Sequence, residues 1–277
     1  MNISILIPIL IIIALLVSVL GSISGVGGGV LFIPAMLLLI SDYYSFNQIR
    51  FVSTLLVFVS AFINVFLEFI NKRFSWTLIS LIAIIAIPTI FLGNYVSSLI
   101  SQRITQIIVI VLLSIVTILL SCNNIISKKI LLWKKDKVVK KSWYLLKTNY
   151  GLTINIFTII LITFLGGIIT TLTGMGGGPI LMPLLLLTCG LTMKQATPIS
   201  HSVIAITAFV SLCLSYQYFS NQTLNLQISL PMTCGVVIGT IVAYFIKNKI
   251  KNEEIIKWIL IVLIWISIIK MIIDVTA

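Results

Sequence analysis

Charged residues are scarce in this sequence. Only 9% of its 277 residues are charged, with 6 acidic side chains against 18 Lys and Arg. A soluble domain exposes most of its charged side chains, and so few could not cover the surface of a protein of this size. Hydrophobic residues instead make up 60% of the chain. Apolar runs of about 20 residues, the length of a membrane-spanning helix, recur along nearly all of it. The composition therefore predicts a protein with several membrane spans.

Alternation of apolar and polar residues is also missing. The runs IPILIIIALLVSVL and IVIVLLSIVTILL are apolar on every side. A membrane β-barrel would alternate lipid-facing with lumen-facing residues, and lipid leaves helices as the other choice for a spanning backbone. We therefore predict an all-α polytopic membrane protein.

Clusters of catalytic or metal-binding side chains are absent as well. The four cysteines are isolated, and no carboxylate pair, Ser/His/Asp set or Cys/His group with metal spacing occurs. An enzyme needs such a constellation, and a zinc or redox site needs paired ligands. The sequence thus predicts neither an enzyme nor a cofactor or metal site.

Positive charge is present, and most of it lies in one place. The stretch KKILLWKKDKVVKKSWYLLK, from Lys128 to Lys147, carries eight lysines opposed only by Asp136. A lysine-rich loop between spans marks the cytoplasmic face of a membrane protein. We therefore interpret residues 127–150 as a basic cytoplasmic linker and predict no nucleic-acid partner. Binding of this loop to anionic lipid is a less favoured alternative.

The chain also contains an internal repeat. GSISGVGGGVLFIP (21–34) matches TTLTGMGGGPILMP (170–183), and QIRFVS from Gln48 matches QATPIS from Gln195. We predict a first transmembrane repeat at 1–126 and a second at 151–277. The opening run has a counterpart in the second repeat, so we interpret it as a span rather than a signal peptide. Each repeat holds five apolar segments, at about 3–22, 27–40, 50–70, 76–100 and 106–126, and at about 152–172, 177–190, 197–219, 226–246 and 255–274.

An odd number of segments places the two repeats upside down relative to each other. With the linker in the cytoplasm, Lys72 and Arg73 fall inside and Arg103 falls outside. In the second repeat the basic turn is instead KNKIKNEEIIK, which also falls inside. The basic excess thus changes position between repeats, as inverted topology requires. Both termini are then extracytoplasmic, unless a short second segment is re-entrant.

The glycine-rich stretches precede segments that are too short to span. About 14 residues form about 21 Å of helix, against a hydrocarbon core of about 30 Å. We predict that the helices are broken at the glycines near the membrane midplane, and we interpret Pro34 and Pro183 as helix-break prolines. A helix starting after the glycines presents unpaired N–H groups, which bind anions. The alternative is close helix packing, because Gly21, Gly25 and Gly29 have small-xxx-small spacing.

These residues resemble a known family. GVGGGVLFIP and GMGGGPILMP, each followed by a QxxxxS segment, are similar to the TauE/SafE sulfite exporter family over essentially the whole chain. The resemblance implies a secondary transporter of small organic or sulfur-containing anions such as sulfite, sulfoacetate or sulfonates. The family's usual Thr-Ser pair is reduced here to Val52-Ser53 and Ile199-Ser200.

Side chains near the glycines complete the predicted substrate site. Ser53 and Ser200 occupy matching positions and could donate to an oxyanion or bond back to a helix carbonyl. His201, the only histidine, is a candidate for proton coupling or a packing residue. Glu68 is expected to pair with Lys72. The predicted substrate-binding residues are Ser24, Gly25, Gly27, Gly28, Gly29, Ser53, Thr54, Thr173, Gly174, Gly176, Gly177, Gly178, Ser200 and His201.

The function predicted from these features is secondary transport of a small anion across the cytoplasmic membrane, driven by a proton or substrate gradient. The expected partners are the substrate and the lipid bilayer, and the oligomeric state is open. The alternatives are a passive anion or solute channel and a non-catalytic subunit of a membrane assembly.

Overall fold

The chain folds into helices over nearly all of its described length, in a computed structural model that describes residues 3–40, 44–70, 76–121, 145–147, 153–189, 191–215, 224–249 and 253–276. The helices of the first half are α1 Ile3–Ser24, α2 Gly29–Ile40, α3 Phe46–Ile70, α4 Trp76–Leu99 and α5 Gln102–Ser121. Those of the second half are α6 Ile156–Thr173, α7 Gly178–Cys189, α8 Met193–Leu214, α9 Leu224–Lys249 and α10 Glu253–Thr276. The predicted all-α class is confirmed.

Two short strands precede α6. Strand β1 (Leu145–Lys147) pairs antiparallel with β2 (Thr153–Asn155), with Leu146 opposite Ile154. Asn155 also caps α6, since its side chain accepts a hydrogen bond from the Phe157 N–H. Apart from β1, the predicted linker 127–150 lies outside the described residues.

Six helices of the described part are long and apolar enough to cross a membrane. Their apolar spans are Leu6–Ser24, Phe46–Ile70, Ile79–Leu99, Ile156–Thr173, Met193–Leu214 and Ile228–Lys247. Large apolar side chains remain exposed on them, including Phe66 at 57%, Ile84 at 72% and Phe245 at 63%. Exposed apolar surface of this extent is rare on soluble proteins and is what lipid requires. The protein is an integral, multi-pass membrane protein.

Helices of one half pack against helices of the other. Helix α1 lies against α9, and α6 lies against α4. Helix α3 packs on α8 and α9, and α8 packs in turn on α4. The short helices follow the same rule, with α2 against α10 and α7 against α5. Each contact therefore has a counterpart between the helices at matching positions of the other repeat.

Polar contacts fix the relative direction of α3 and α9, and one of them ties α1 to α3. Asn64 donates to Ser22 Oγ at 2.9 Å and Thr240 donates to Ser60 Oγ at 3.1 Å. Further along α3 and α9, Lys247 Nζ lies 3.0 Å from Glu68 Oε1. The second contact lies nearer the carboxyl end of both helices than the first one does. Helices α3 and α9 therefore run in the same direction.

Helices α3 and α8 run in opposite directions. One cavity is lined by residues from the first two turns of α3 and from the last turns of α8, including Asn47 and Ser215. The two helices also start in the same way. Gln48 Oε1 accepts from the Ser45 N–H at 3.0 Å, and Gln195 Oε1 accepts from the Thr192 N–H at 3.1 Å. The matching glutamines of the repeat are therefore helix-capping residues, each supplying the return bond of a capping box.

Candidate functional site

The glycine-rich stretches form two turns with the same backbone conformation. Three glycines in each turn have φ values that side chains with a Cβ rarely adopt. These values are 78° at Gly25, 78° at Gly27 and 77° at Gly28, and 70° at Gly174, 78° at Gly176 and 67° at Gly177. The first turn (25–28, between α1 and α2) and the second turn (174–177, between α6 and α7) therefore both need glycine.

Local hydrogen bonds hold each turn. In the first, the N–H groups of Val26 and Gly27 donate to the Gly21 carbonyl at 3.0 and 3.1 Å. Ser24 Oγ donates to the same carbonyl at 3.2 Å. In the second turn, Thr173 Oγ1 accepts from the Met175 N–H at 3.0 Å. Ser24 and Thr173, both predicted to bind substrate, here stabilise the turns themselves.

The chain reverses direction at each turn. A Cβ placed at Gly21 would overlap the backbone of Gly28, and one placed at Gly177 would lie 2.6 Å from the Gly166 carbonyl oxygen. Gly28 also lies against Val17, and Val17 and Gly166 are each about two turns before the end of their helix, so the chain folds back along α1 and along α6 at the turns. The predicted interruption of the helices is present, and it takes the form of a helical hairpin rather than a break in one continuing helix.

The interpretation of Pro34 and Pro183 as helix-break residues is corrected by the structure. Both prolines lie inside α2 and α7, and both helices continue for at least one further turn. Each proline is the sixth residue of its helix, so it removes one internal hydrogen bond, to the carbonyl four residues earlier, without ending the helix. The glycines, and not these prolines, end the preceding helices.

The tips of the two hairpins touch each other. A Cβ at Gly29 would overlap the Met175 carbonyl, and a Cβ at Gly178 would overlap the Val26 carbonyl. All four residues are buried. Gly29 and Gly178 are therefore required for close approach between backbones, as the packing alternative expects, and this approach brings the two predicted halves of the site together.

The matching serines tie the hairpins together reciprocally. Ser200 Oγ donates to the Gly25 carbonyl at 2.6 Å, and Ser53 Oγ donates to the Gly174 carbonyl at 3.2 Å. Each serine therefore bonds to the turn of the opposite half, and not to a carbonyl of its own helix. In this arrangement both serine hydroxyls donate to backbone carbonyls of the protein, and the serines position the turns.

The residues that follow the serines behave differently. Thr54 Oγ1 donates to the Arg50 carbonyl of its own helix at 2.8 Å. His201 is completely buried, and neither ring nitrogen has a hydrogen-bond partner among the described residues. A buried polar group without a partner is rare in folded proteins and calls for an explanation. Thr54 is thus satisfied locally, whereas His201 is not.

Arg50 is a residue beside the site that the sequence interpretation missed. Its Nη1 donates to Ser97 Oγ at 2.9 Å and to the Thr171 carbonyl at 3.2 Å. A Cβ at Gly174 would overlap its side chain. The third segment was predicted to begin at residue 50, which made Arg50 an interfacial residue. Helix α3 begins at Phe46, so Arg50 lies one turn inside it, and an arginine inside a span is the signal that points to function.

Glu68 has a partner that the sequence interpretation did not name. Glu68 is 3% exposed, and its Oε1 lies 3.0 Å from Lys247 Nζ on α9. Lys72 lies outside the described residues. The face of α3 that carries Glu68 packs against α9, so a partner from the other half lies within reach of the carboxylate.

Comparisons with known proteins agree with the sequence resemblance. A family model described as Sulfite exporter TauE/SafE matches residues 10–271. No significant match was found among curated proteins or among solved structures. The family match spans both glycine turns, all of α2 to α9 and most of α1 and α10. The chain therefore belongs to the TauE/SafE sulfite exporter family, a family of membrane transporters of sulfite or similar anions and not of enzymes.

Proposed function

We propose that this protein is a secondary carrier that binds a small sulfur-containing or organic anion between the two glycine turns. The observation that carries the proposal is the reciprocal contact of the hairpin tips, in which Gly29 abuts the Met175 carbonyl and Gly178 abuts the Val26 carbonyl. Two helices begin at this contact, and their dipoles both favour an anion there.

The backbone N–H groups at these helix starts support the proposal. Within the described part of the chain, no acceptor is seen for the backbone N–H of Gly29 or of Gly178. N–H groups of this kind can be satisfied by a ligand. Both are buried in the present arrangement, so the anion reaches them when the tips separate, and this separation is the conformational step of transport.

We further propose that the two halves are inverted repeats. The antiparallel course of α3 and α8, which occupy matching positions in the two repeats, supports an axis lying in the membrane plane. With the linker 127–150 in the cytoplasm, the amino end of α3 faces the extracytoplasmic side of the cytoplasmic membrane. The carboxyl ends of α3 and α9, where Glu68 and Lys247 meet, then face the cytoplasm.

Proton coupling through His201 is the second part of the proposal. The imidazole lies directly after Ser200, which bonds to the first turn, and it is buried without a partner among the described residues. Histidine exchanges a proton near neutral pH in an unperturbed setting. Protonation when the tips separate would couple proton movement to anion movement.

Flux measurements in proteoliposomes test the carrier proposal. The purified protein is expected to transport sulfite, a sulfonate or a small carboxylate with a rate that saturates and with counterflow. Gly28→Leu and Gly177→Leu should each lower flux at least tenfold, because both positions have positive φ and meet atoms within 3.3 Å. Ser98→Leu adds the same side chain at an exposed position and should leave flux unchanged.

Three outcomes would contradict the proposal. Flux that rises linearly with concentration and shows no counterflow would indicate a passive channel. Unchanged saturable flux in both glycine variants would place the substrate elsewhere in the protein. Protein that is inactive alone and active with a second membrane protein would favour the assembly-subunit alternative.

A further inference from the structure

Two apolar side chains, Val57 of α3 and Ile204 of α8, lie against both glycine turns. A Cβ at Gly27 would lie 3.4 Å from Ile204 Cγ2 and 3.6 Å from Val57 Cγ1. A Cβ at Gly176 would lie 2.5 Å from Val57 Cγ1 and 3.1 Å from Ile204 Cγ2. Each side chain therefore packs against the turn of its own half and against that of the other half.

The two side chains occupy matching positions of the repeat. Val57 is four residues after Ser53, and Ile204 is four residues after Ser200. Both are completely buried. Ile204 also reaches the start of α7, where a Cβ at Gly178 would lie 2.8 Å from its Cδ1. The pair thus lies at the junction of the hairpins, beside one of the helix starts at which we place the anion.

Polar and apolar groups have separate places at this junction. Four hydroxyl groups at the turns form hydrogen bonds to backbone groups of the protein, namely those of Ser24, Ser53, Thr173 and Ser200. These hydroxyls already have partners, so we assign the head group of the anion to the backbone N–H groups of the helix starts. Beside them lie the methyl groups of Val57 and Ile204, which cannot form hydrogen bonds. A ligand that matches this surface carries its charge at one end and hydrocarbon at the other.

We propose that Val57 and Ile204 are specificity-determining residues, which form the wall against which the organic part of the substrate packs. This inference rests on the proposed carrier function, because it places the substrate at the hairpin tips. When the tips separate, the methyl groups that cover the glycine backbone in this structure line the space that opens. They favour a short-chain organic anion, such as a small alkanesulfonate, over sulfite, since each methylene that leaves water for apolar surroundings strengthens binding about fourfold.

The bulk of the same two side chains limits the length of that organic part. Both are branched at Cβ and have few rotamers open to them in a helix, and both pack directly on glycine backbone. They therefore cannot swing aside for a long hydrocarbon chain. Alanine at position 204 removes three carbon atoms and makes room for such a chain. The head group is the same in every alkanesulfonate, so the preferred chain length reports on this wall alone.

Ligand-induced thermal stabilisation of the purified full chain, which needs no transport, measures this preference. In the wild type, the half-saturating concentration of ethanesulfonate should be at least threefold below that of sulfite and at least tenfold below that of butanesulfonate. Ile204→Ala should lower the ratio of the butanesulfonate to the ethanesulfonate concentration at least tenfold. Leu10→Ala also removes three carbon atoms from a buried side chain, about 22 Å of helix before Gly25, and should keep the wild-type ratio within twofold.

Ile204→Val and Val57→Ala serve as further variants in case Ile204→Ala does not fold. They remove one and two carbon atoms, and each should lower the same ratio at least threefold. A ratio that both variants leave unchanged would overturn the inference, even if saturable flux supports the carrier. So would a wild type that binds sulfite as tightly as ethanesulfonate, or one that no sulfonate stabilises. A lowered ratio in protein without saturable flux would support the wall and contradict the carrier.

Discussion

At the scale of single residues, the turns use two different properties of glycine. Gly25 and Gly174 adopt positive φ values of 78° and 70°, which residues with a Cβ rarely do. Gly29 and Gly178 instead allow a carbonyl of the opposite hairpin to approach the backbone. A substitution therefore strains the chain at the first pair and separates the hairpins at the second.

His201 carries the prediction that belongs to this scale. If its imidazole takes up the coupling proton, His201→Gln should abolish accumulation of sulfite driven by a pH gradient while leaving exchange between equal pools intact. Glutamine keeps similar polarity but cannot take up a proton near neutral pH. Uptake into proteoliposomes with an imposed pH gradient, with and without a protonophore, measures the effect.

A packing role for His201 gives a different result. His201→Gln would then lower gradient-driven accumulation and exchange by the same factor, through loss of folded protein. Accumulation equal to that of the wild type would also exclude proton coupling through this residue.

The sequence predicts which residues lie at the turns better than it predicts their contacts. Matching of the repeats pointed to Ser53 and Ser200, and both lie at the turns. That each would donate to the turn of the opposite half depends on how the halves pack, and no local pattern encodes this. Arg50 was missed because the start of α3 was placed four residues too late, and helix boundaries are the least certain feature of a sequence pattern.

At the scale of secondary-structure elements, the hairpins explain why α2 and α7 are short. Each has 12 residues, about 18 Å of helix, and needs only to return from the turn to the membrane surface. Their shortness was visible in the sequence and predicted an interruption. The reversal was not visible, because the direction after a glycine turn is set by contacts such as that between Gly21 and Gly28.

The ion pair between α3 and α9 carries the prediction at this scale. Glu68 and Lys247 are 4% and 12% exposed at their side chains, and removing one partner of a buried pair costs about 3–5 kcal/mol. Glu68→Gln should therefore destabilise the protein by about 3 kcal/mol, at the lower end because Lys247 retains some exposure. Thermal unfolding in detergent measures the change.

A double variant that exchanges the two charges tests whether the loss of stability comes from the ion pair itself. The double variant Glu68→Lys with Lys247→Glu should recover much of the lost stability, because it restores an opposite-charge pair at the same place. Glu254→Gln removes an exposed carboxylate of α10 and should change stability by less than about 0.5 kcal/mol. An effect of Glu68→Gln no larger than that of Glu254→Gln would show that the pair does not hold α3 and α9 together.

At the scale of the whole molecule, the two halves are interleaved rather than side by side. Helix α1 packs on α9 of the second half, and α6 packs on α4 of the first. The sequence predicts the duplication, the number of helices per half and the membrane class. It could not predict the interleaving, because the apolar runs are similar on every side and do not indicate which face meets protein and which meets lipid.

The orientation of the molecule carries the last prediction. In a variant with all four cysteines replaced by Ala, Ser45→Cys and Glu254→Cys should be labelled from opposite sides of the membrane. Both positions are exposed at helix starts, and the inverted arrangement puts position 45 outside and position 254 in the cytoplasm. A membrane-impermeant thiol reagent on intact cells should label only Ser45→Cys, and permeabilised cells should label both.

The converse labelling pattern would reverse the orientation of the protein and place the linker outside. Labelling of both positions in intact cells would put the two helix starts on one side and would contradict the inverted arrangement.

The contact of α1 with α9 has a consequence for biosynthesis. Gly235 and Gly239 of α9 lie against the backbone of α1 near Ile11 and Leu15, so α1 is synthesised more than 200 residues before the helix on which it packs. At about 5–20 residues per second, that delay lasts roughly 10–40 s. During this interval the face of α1 that later meets α9 is covered by lipid or by the insertion machinery, so the α1–α9 contact forms late in synthesis.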